Sequence, residues 1–550
     1  MKFSEVLLRE IRRRGITRVF GVPGRENASI LFNEVPEIEY ITARVEFNAG
    51  IMADFSGRLT RKPQVCFSTM GPGATNMATA VASAKLNKSP LVFISAQLER
   101  GDIFYNETHQ CVDQTAMMAP VTKWSYEMKS PEELPAVMDK AFRLAMQEPV
   151  GPVHIAIPTD LFKCDINAPV DIDTPLDCVI TYEQSSPTRE AVDDVHRVLS
   201  QSREALCLIG AEAVRTGQAE AVLEFCREWN IPYITAANAK GLEPFDSPLN
   251  FGSASCYMEG IIGYPALKDI FTSVDTLVCI GYEYVDDLLP KMWAYGETKT
   301  IINISASPTF AVHSKFNPDH ELIGSVSGIL AAMTERGVLR QQDRSMDMVK
   351  AAYRDTLADN SQHGGLLTPV QVIKAVNPYF QQDAIVVTDI GYYRHHAILF
   401  TEPTATSQFF SDTGLSSFGT GLPSAIAAQL AFPDRPVFLL CGDGGFHSGS
   451  CDLATLARYG LPVIVIVMDN SAFELIHLYQ KRHNEKANSS IVELEKVDFV
   501  KLAEANGCRG VKVSSIDELN AVISDHDRTG PLVIEVPMRY GEYDEFNESF

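Results

Sequence analysis

The chain is short of positive charge, of tryptophan and of long apolar runs, and no two of its cysteines form a CxxC pair. Only 47 Lys and Arg stand against 70 Asp and Glu, a net charge of −23. That balance argues against nucleic acid as a partner, because like charges repel. It leaves room for a small anion held by local positive groups. No window reaches the ~18 uninterrupted apolar residues of a membrane span. The opening MKFSEVLLREIRRRG lacks the layout of a secretory leader. The expectation is a cytoplasmic protein without a membrane partner. The 11 cysteines are odd in number and scattered. They are expected to be reduced, buried thiols with no zinc site. No short-period repeat or low-complexity tract is present.

What is present is a long alternation of two patterns. With 550 residues, 45% hydrophobic and 21% charged, the chain has the length for three or four domains. Phe3, Val6, Leu7 and Ile11 recur at helical spacing. Apolar or β-rich runs then return at Arg18–Val22, Gln64–Thr69, Leu91–Ser95 and Val153–Ile157. A second block repeats them at Ala205–Gly210, Pro232–Thr235, Thr276–Gly281 and Lys299–Ile304. A polar helical region, roughly 327–359, separates these from a third block. Its runs are Ile385–Thr388, Val437–Cys441, Val463–Met468 and Leu532–Val536. Strands alternating with helices predict parallel sheets. The fold expected is α/β, with three doubly wound parallel-sheet domains at 1–165, 188–340 and 365–550. The acidic, aromatic tail Tyr540–Phe550 reads as a frayed terminus, with a lid as the alternative.

One stretch, Val437–Asn470, organises the third block. A buried strand ends in Gly442-Asp443-Gly444-Gly445, where glycines let a turn come close to a ligand. A helical pattern leads to a second strand that ends in Asp469-Asn470. Two strands of one sheet thus deliver Asp443 and Asn470 to one carboxyl edge, where open α/β sheets bind ligands. Oxygen donors of this kind suit Mg²⁺, which keeps company with phosphates. In the first block, Ile41–Arg58 places Glu46 at a helix start, followed by the small residues Ala49, Gly50 and Ala53. Such a helix can approach another backbone closely. An N-terminal Glu favoured by the helix dipole is the plainer reading.

Together these segments resemble a known family. Gly442-Asp443-Gly444 with Asn470, 27 positions on, resembles the thiamine-diphosphate motif, with Asp469 departing from the usual penultimate Asn. Arg44–Ala49, Phe20–Gly24 and Gly71–Asn76 are similar to the pyrimidine-binding domain of the acetolactate synthase superfamily. The resemblance names the three domains pyrimidine-binding, central Rossmann-like and diphosphate-binding. It implies thiamine diphosphate and Mg²⁺ as cofactors, with FAD left open. By the same resemblance Glu46 hydrogen-bonds N1′ of the aminopyrimidine and so activates the cofactor. Val22, Pro72 and Asn76 line the pyrimidine, with the backbone of Ser416 and with Phe418 under the bent coenzyme. Ile390, Gly391, Tyr392, Gly444 and Gly445 cradle the diphosphate. Asp443, Asn470 and the carbonyl of Ala472 hold the metal. Because Glu46 and Asp443 belong to sites completed by different subunits in this superfamily, a homodimer is the implied minimum and a homotetramer the common form.

Finer matches point within the superfamily. Gly24–Phe32, Asp102–Phe104 with Thr108–Cys111, Gly281–Tyr284, Asp389–His395, Ser416–Gly419 and Gly444–Ser448 most resemble the carboxyethylarginine synthase group. That resemblance implies a synthase joining a C3 unit from D-glyceraldehyde 3-phosphate to an amine, with loss of phosphate. Arg394 and His395 are then expected to assist the departing phosphate, and His109 and Gln110 to handle protons or the adduct oxygen. Glu283, Asp286 and Asp287 are available to a cationic co-substrate, with solvated loop acids as the plainer reading. The alternative is an acetolactate synthase or related 2-oxo acid decarboxylase/carboligase using pyruvate.

Overall fold

The computed structural model describes all residues except 32–34, 104–107, 168, 170, 177–185, 258–259, 263–269, 284, 286–298, 309–315, 339–365, 483–488 and 539–550. Asp286, Asp287, Phe32, Phe104, Tyr284 and the tail 540–550 therefore lie outside the described residues.

Three six-stranded sheets carry the chain. The first holds β1 (Arg18–Gly21), β2 (Glu39–Thr42), β3 (Gln64–Ser68), β4 (Leu91–Gln97), β5 (Trp124–Glu127) and β6 (Val153–Pro158), in the order β2-β1-β3-β4-β6-β5. The central sheet is built from β7 (Ala205–Ile209), β8 (Tyr233–Thr235) and β9 (Asn250–Ser253). After the small antiparallel pair β10 (Ser255–Tyr257) and β11 (Gly260–Ile262) come β12 (Thr276–Ile280), β13 (Thr300–Ser305) and β14 (His320–Ile323). Its order is β14-β13-β12-β7-β8-β9. The third holds β15 (Ile385–Thr388), β16 (Phe409–Ser411), β17 (Val437–Gly442), β18 (Ile464–Asp469), β19 (Arg509–Lys512) and β20 (Leu532–Pro537), in the order β16-β15-β17-β18-β20-β19.

Every pairing within the three large sheets is parallel. The α/β expectation is met. The inner strands are buried along most of their length, and β4, β7, β12 and β18 along all of it, because helices cover both faces. Edge strands differ: β2, β5 and β19 each keep half-exposed or exposed positions.

The opening helix, Phe3–Arg12, buries Phe3, Val6, Leu7 and Ile11 completely. The helix Glu46–Thr60 packs against Pro72–Leu86 and against Gly421–Ala431 of the third sheet's domain. A side chain at Gly50 would collide with Met77 and Ala80. The small residues thus permit the close approach that the sequence predicts.

The described cysteines carry free thiols, but the expectation that all are buried is corrected. Cys66, Cys207, Cys226, Cys279, Cys441 and Cys508 are buried, whereas Cys111 and Cys164 are half-buried and Cys451 is exposed. Cys111 and Cys164 sit in loops and Cys451 in a short 3-10 turn, not on the inner strands.

Candidate functional site

In the third sheet, β16 lies on one side of β15 and β17 on the other. The chain reverses its winding there, and such a switch point opens a crevice beyond the carboxyl ends of the strands. Ile390 and Gly391 leave β15 at this crevice, Asp443 leaves β17 and Asn470 leaves β18. A cavity of about 380 Å³ opens between them. Ile390, Gly391, Tyr392, Asp443, Gly444, Gly445, Asn470 and Ala472 all line it, as does Phe418. Phe418 is no core residue: it is 49% exposed, and its ring meets Phe473 edge-on at 6.3 Å.

Asp443 opens the helix Asp443–Gly449. Its carboxylate accepts from the amide of Gly444 at 2.6 Å and from that of Ala472 at 3.2 Å. Burial, and then the facing carboxyl of Asp469, push its pKa up to about 7 against those two donors. A buried carboxyl so crowded by a second is best ionised beside a cation. Asn470 donates from Nδ2 to Glu474 at 2.9 Å. Asp469 accepts from both the amide and the hydroxyl of Ser471, at 3.0 and 3.1 Å. Among the described residues no group of three or more His, Cys, Asp or Glu is placed to hold a metal. A cation here would depend on amide and carbonyl oxygens beside Asp443, and the donor set fits Mg²⁺.

Sequence reasoning named Asp389 only as the start of a matched segment and gave it no role. It is buried and accepts from the amides of Ile390, Gly419 and Gly421 at 2.6, 2.9 and 3.0 Å. Burial lifts its pKa to about 6. Three donors on one carboxylate tie the β15 exit to the loop that carries Ser416 and Phe418. A carboxylate ending a buried strand was the available signal.

The first sheet repeats the crevice between β1 and β3. Val22 leaves β1, Glu46 follows β2, and Gly71-Pro72 follows β3. Asn76 Nδ2 donates to Glu46 Oε2 at 3.0 Å. Asn27 braces the Val22 loop by accepting from the Gly24 amide at 2.9 Å and donating to the Val22 carbonyl at 3.2 Å. Gly71 takes a left-handed φ of 58°, and a side chain there would strike Gln110, itself at φ 61°. Gln110 and the exposed His109 therefore stand beside the Pro72 turn.

Among the described residues, these two constellations do not share a cavity within one chain. Among the described residues that line the Asp443 cavity, none precedes Pro369. The Glu46 helix instead leans on its own C-terminal domain, where Asp452 accepts from the Arg44 amide at 3.0 Å and also from Asn48.

Arg394 and His395 are placed otherwise than expected. Both are buried in the helix Tyr392–Phe400, every residue of which is buried. Arg394 donates to the Asp412 carbonyl at 2.9 Å and the Ser416 hydroxyl at 3.3 Å. His395 Nδ1 meets the Ser255 hydroxyl at 2.7 Å. Neither lines the cavity, because a helix start aimed at a site turns its next residues into the packing behind it. Arg394 instead braces Ser416, a non-glycine residue at φ 55°. Glu283 is not a solvated loop acid: it pairs with Arg215 at 2.8 Å, and both are largely buried.

Three family models match the chain in order. They are the thiamine pyrophosphate enzyme N-terminal TPP binding domain over residues 1–117, the central domain over 192–333 and the C-terminal TPP binding domain over 389–536. Relatives match nearly from end to end. A probable acetolactate synthase large subunit of Methanocaldococcus jannaschii is 26% identical over 97% of this chain and 92% of its own. The acetolactate synthase of Bacillus subtilis is 26% identical over 98% and 93%. The catabolic acetolactate synthase of Raoultella terrigena is 27% identical over 98% and 95%.

Proposed function

The chain belongs to the thiamine pyrophosphate enzyme family, and from that premise we propose that it is a carboligase of the acetolactate synthase type acting on a small 2-oxo acid such as pyruvate. The observation that carries this reading is the end-to-end similarity to acetolactate synthases across all three domains. The glycine-lined cavity supports it, having the size of a small-molecule site and apolar walls at Phe418, Met468, Phe473, Leu475 and Ile476.

When bound, thiamine diphosphate supplies a carbanion-stabilising thiazolium. This chain's residues would do the rest. Asp443, Asn470 and the Ala472 carbonyl would hold Mg²⁺ against the diphosphate. The amides at Ile390–Tyr392 and at Gly444 and Gly445 would hold its oxygens. Glu46, kept in place by Asn76, would hold and pass a proton at the pyrimidine ring nitrogen, with Val22 and Pro72 beside the ring. His109 and Gln110 would face the reacting carbonyl. Phe418 and Phe473 would exclude water from the crevice. Because no described wall of the Asp443 cavity comes from the first domain, a complete site needs a second copy, so a homodimer is the smallest active form and a homotetramer is compatible with it.

A second reading, a carboxyethylarginine-type synthase that joins a C3 unit from D-glyceraldehyde 3-phosphate to an amine, has one observation in its favour. Glu474 puts an acidic group in the cavity wall, which suits a cationic acceptor. Against it, none of the described lining residues is Lys, Arg or His, and departing phosphate needs cationic help. A paired assay separates the two. Carbon dioxide and acetolactate from pyruvate, with no phosphate released from D-glyceraldehyde 3-phosphate and arginine, is the expected result. Phosphate release with an amine adduct, and no decarboxylation of pyruvate, reverses the order.

A further inference from the structure

We infer that Glu474 is the positioning residue of the cation site, fixing which end of the Asn470 amide faces the metal. This rests on the reading of Asp443, Asn470 and Ala472 as that site. Glu474 opens the helix Glu474–Arg482, is buried, and lines the cavity together with Asp443 and Asn470. Its Oε2 accepts from Asn470 Nδ2 at 2.9 Å. An ionised carboxylate can only accept hydrogen bonds, whereas an amide has one accepting and one donating end. The bond therefore admits a single orientation of Asn470, with NH₂ toward Glu474 and Oδ1 turned away from it. The flipped amide would set two oxygens against each other at Glu474 and offer N–H groups to a cation.

The rest of the turn is built to hold that arrangement. A first-turn carboxylate is favoured by the helix dipole, so Glu474 sits where its charge is least costly. The Phe473 amide donates to the Val492 carbonyl at 2.8 Å and the Leu494 amide to the Ser471 carbonyl at 2.7 Å. These clamp the segment between the two side chains. Asp469 braces its other end through Ser471, which takes φ 52°.

Outer groups that orient metal ligands are worth ~10–100-fold in metal affinity. The test is calorimetric titration of Mg²⁺ into protein saturated with thiamine diphosphate, with thermal melting of the cation-free protein alongside. Glu474→Ala is expected to weaken Mg²⁺ by ~10-fold or more while the cation-free melting temperature stays at the wild-type value. Glu474→Gln, of the same shape, is expected to lose less, because its amide can pair with Asn470 in either orientation. Asn470→Ala combined with Glu474→Ala should bind no worse than Asn470→Ala alone, since the two act as one unit. Wild-type affinity in both Glu474 variants overturns the inference, as does a double variant whose losses add. If Glu474→Ala does not fold, Glu474→Gln decides alone: a measurable loss supports the inference and wild-type affinity overturns it. A wild-type protein that binds no Mg²⁺ overturns the site reading as well.

Discussion

The first and third sheets wind their six strands in the same order, counting from the first strand of each, and both open a crevice at the same place. Their contents differ. The third crevice holds glycine turns, a helix start and an aspartate pushed up to about 7 by burial and a second carboxyl. The first holds a glutamate steadied by a neutral amide, beside a proline turn. On the proposed reading, one topology would therefore offer a place for a metal-bound diphosphate in one domain and a place for a hydrogen-bonding heterocycle in another. The winding decides where the crevice lies, and a handful of side chains decides what enters it.

The largest effect expected from breaking one side of this comparison is catalytic. Glu46→Gln should lower kcat by ~10²–10⁴-fold, while thiamine diphosphate binding by calorimetry stays near wild type. Asp443→Ala should abolish that binding. If the two mutations act alike on kcat and on binding, the division of labour between the crevices is wrong. Next, mixing inactive Glu46→Gln with inactive Asp443→Ala protein should restore roughly a quarter of wild-type activity, because half the dimers are mixed and each carries one intact site. No recovery after subunit exchange would place both residues in one chain's site.

The two domains should also answer pH with opposite signs. His154, buried in β6 between the hydroxyls of Ser95 and Ser125, has its pKa lowered to about 3 by burial. Its neutral form is the folded form, so stability falls as pH drops from the unfolded value near 6.5 toward 3. His154→Gln should flatten that limb of a denaturation profile by ~4 kcal/mol. Asp389, raised to about 6 by burial, works the other way. Its folded state holds a proton that the unfolded state releases, so stability is lost as pH rises from about 4 to 6 and the penalty persists above. Asp389→Asn should remove that slope, at a cost of ~1–3 kcal/mol for the amides it can no longer satisfy. The smallest effect expected is at Thr368, which caps the helix Pro369–Val376 reciprocally with Gln371. Thr368→Ala should cost ~1 kcal/mol in urea denaturation.

The sequence made the inner strands readable and the outer ones not. In each sheet the four strands expected from apolar runs are the four inner ones. The unexpected β2, β5, β9, β14, β16 and β19 are the edge strands. An inner strand is buried on both faces and is mostly apolar; an edge strand has a neighbour on one side only, and here carries sequences such as WSYE or RGVK that fit a loop equally well. Site residues divide in the same way. Asp443, Asn470, Gly391 and Glu46 follow directly on strands or open helices, so a motif locates them. Asp389 and Glu474 stand just as close to a strand end or a helix start, but their tasks, like the bracing task of Arg394, are contacts made across a turn or to another segment, and no spacing announces those contacts.

By itself the chain's pattern of apolar runs and glycine turns determined three parallel sheets and the edge at which the cavity opens, because burial on two faces and a tight turn each demand particular residues locally. Tertiary structure alone decided that Arg394 and His395 point into packing, that Phe418 stays exposed at a cavity mouth, and that the Glu46 and Asp443 crevices open apart within one chain. Those outcomes depend on which surfaces meet in space, and a linear order of residues does not carry that.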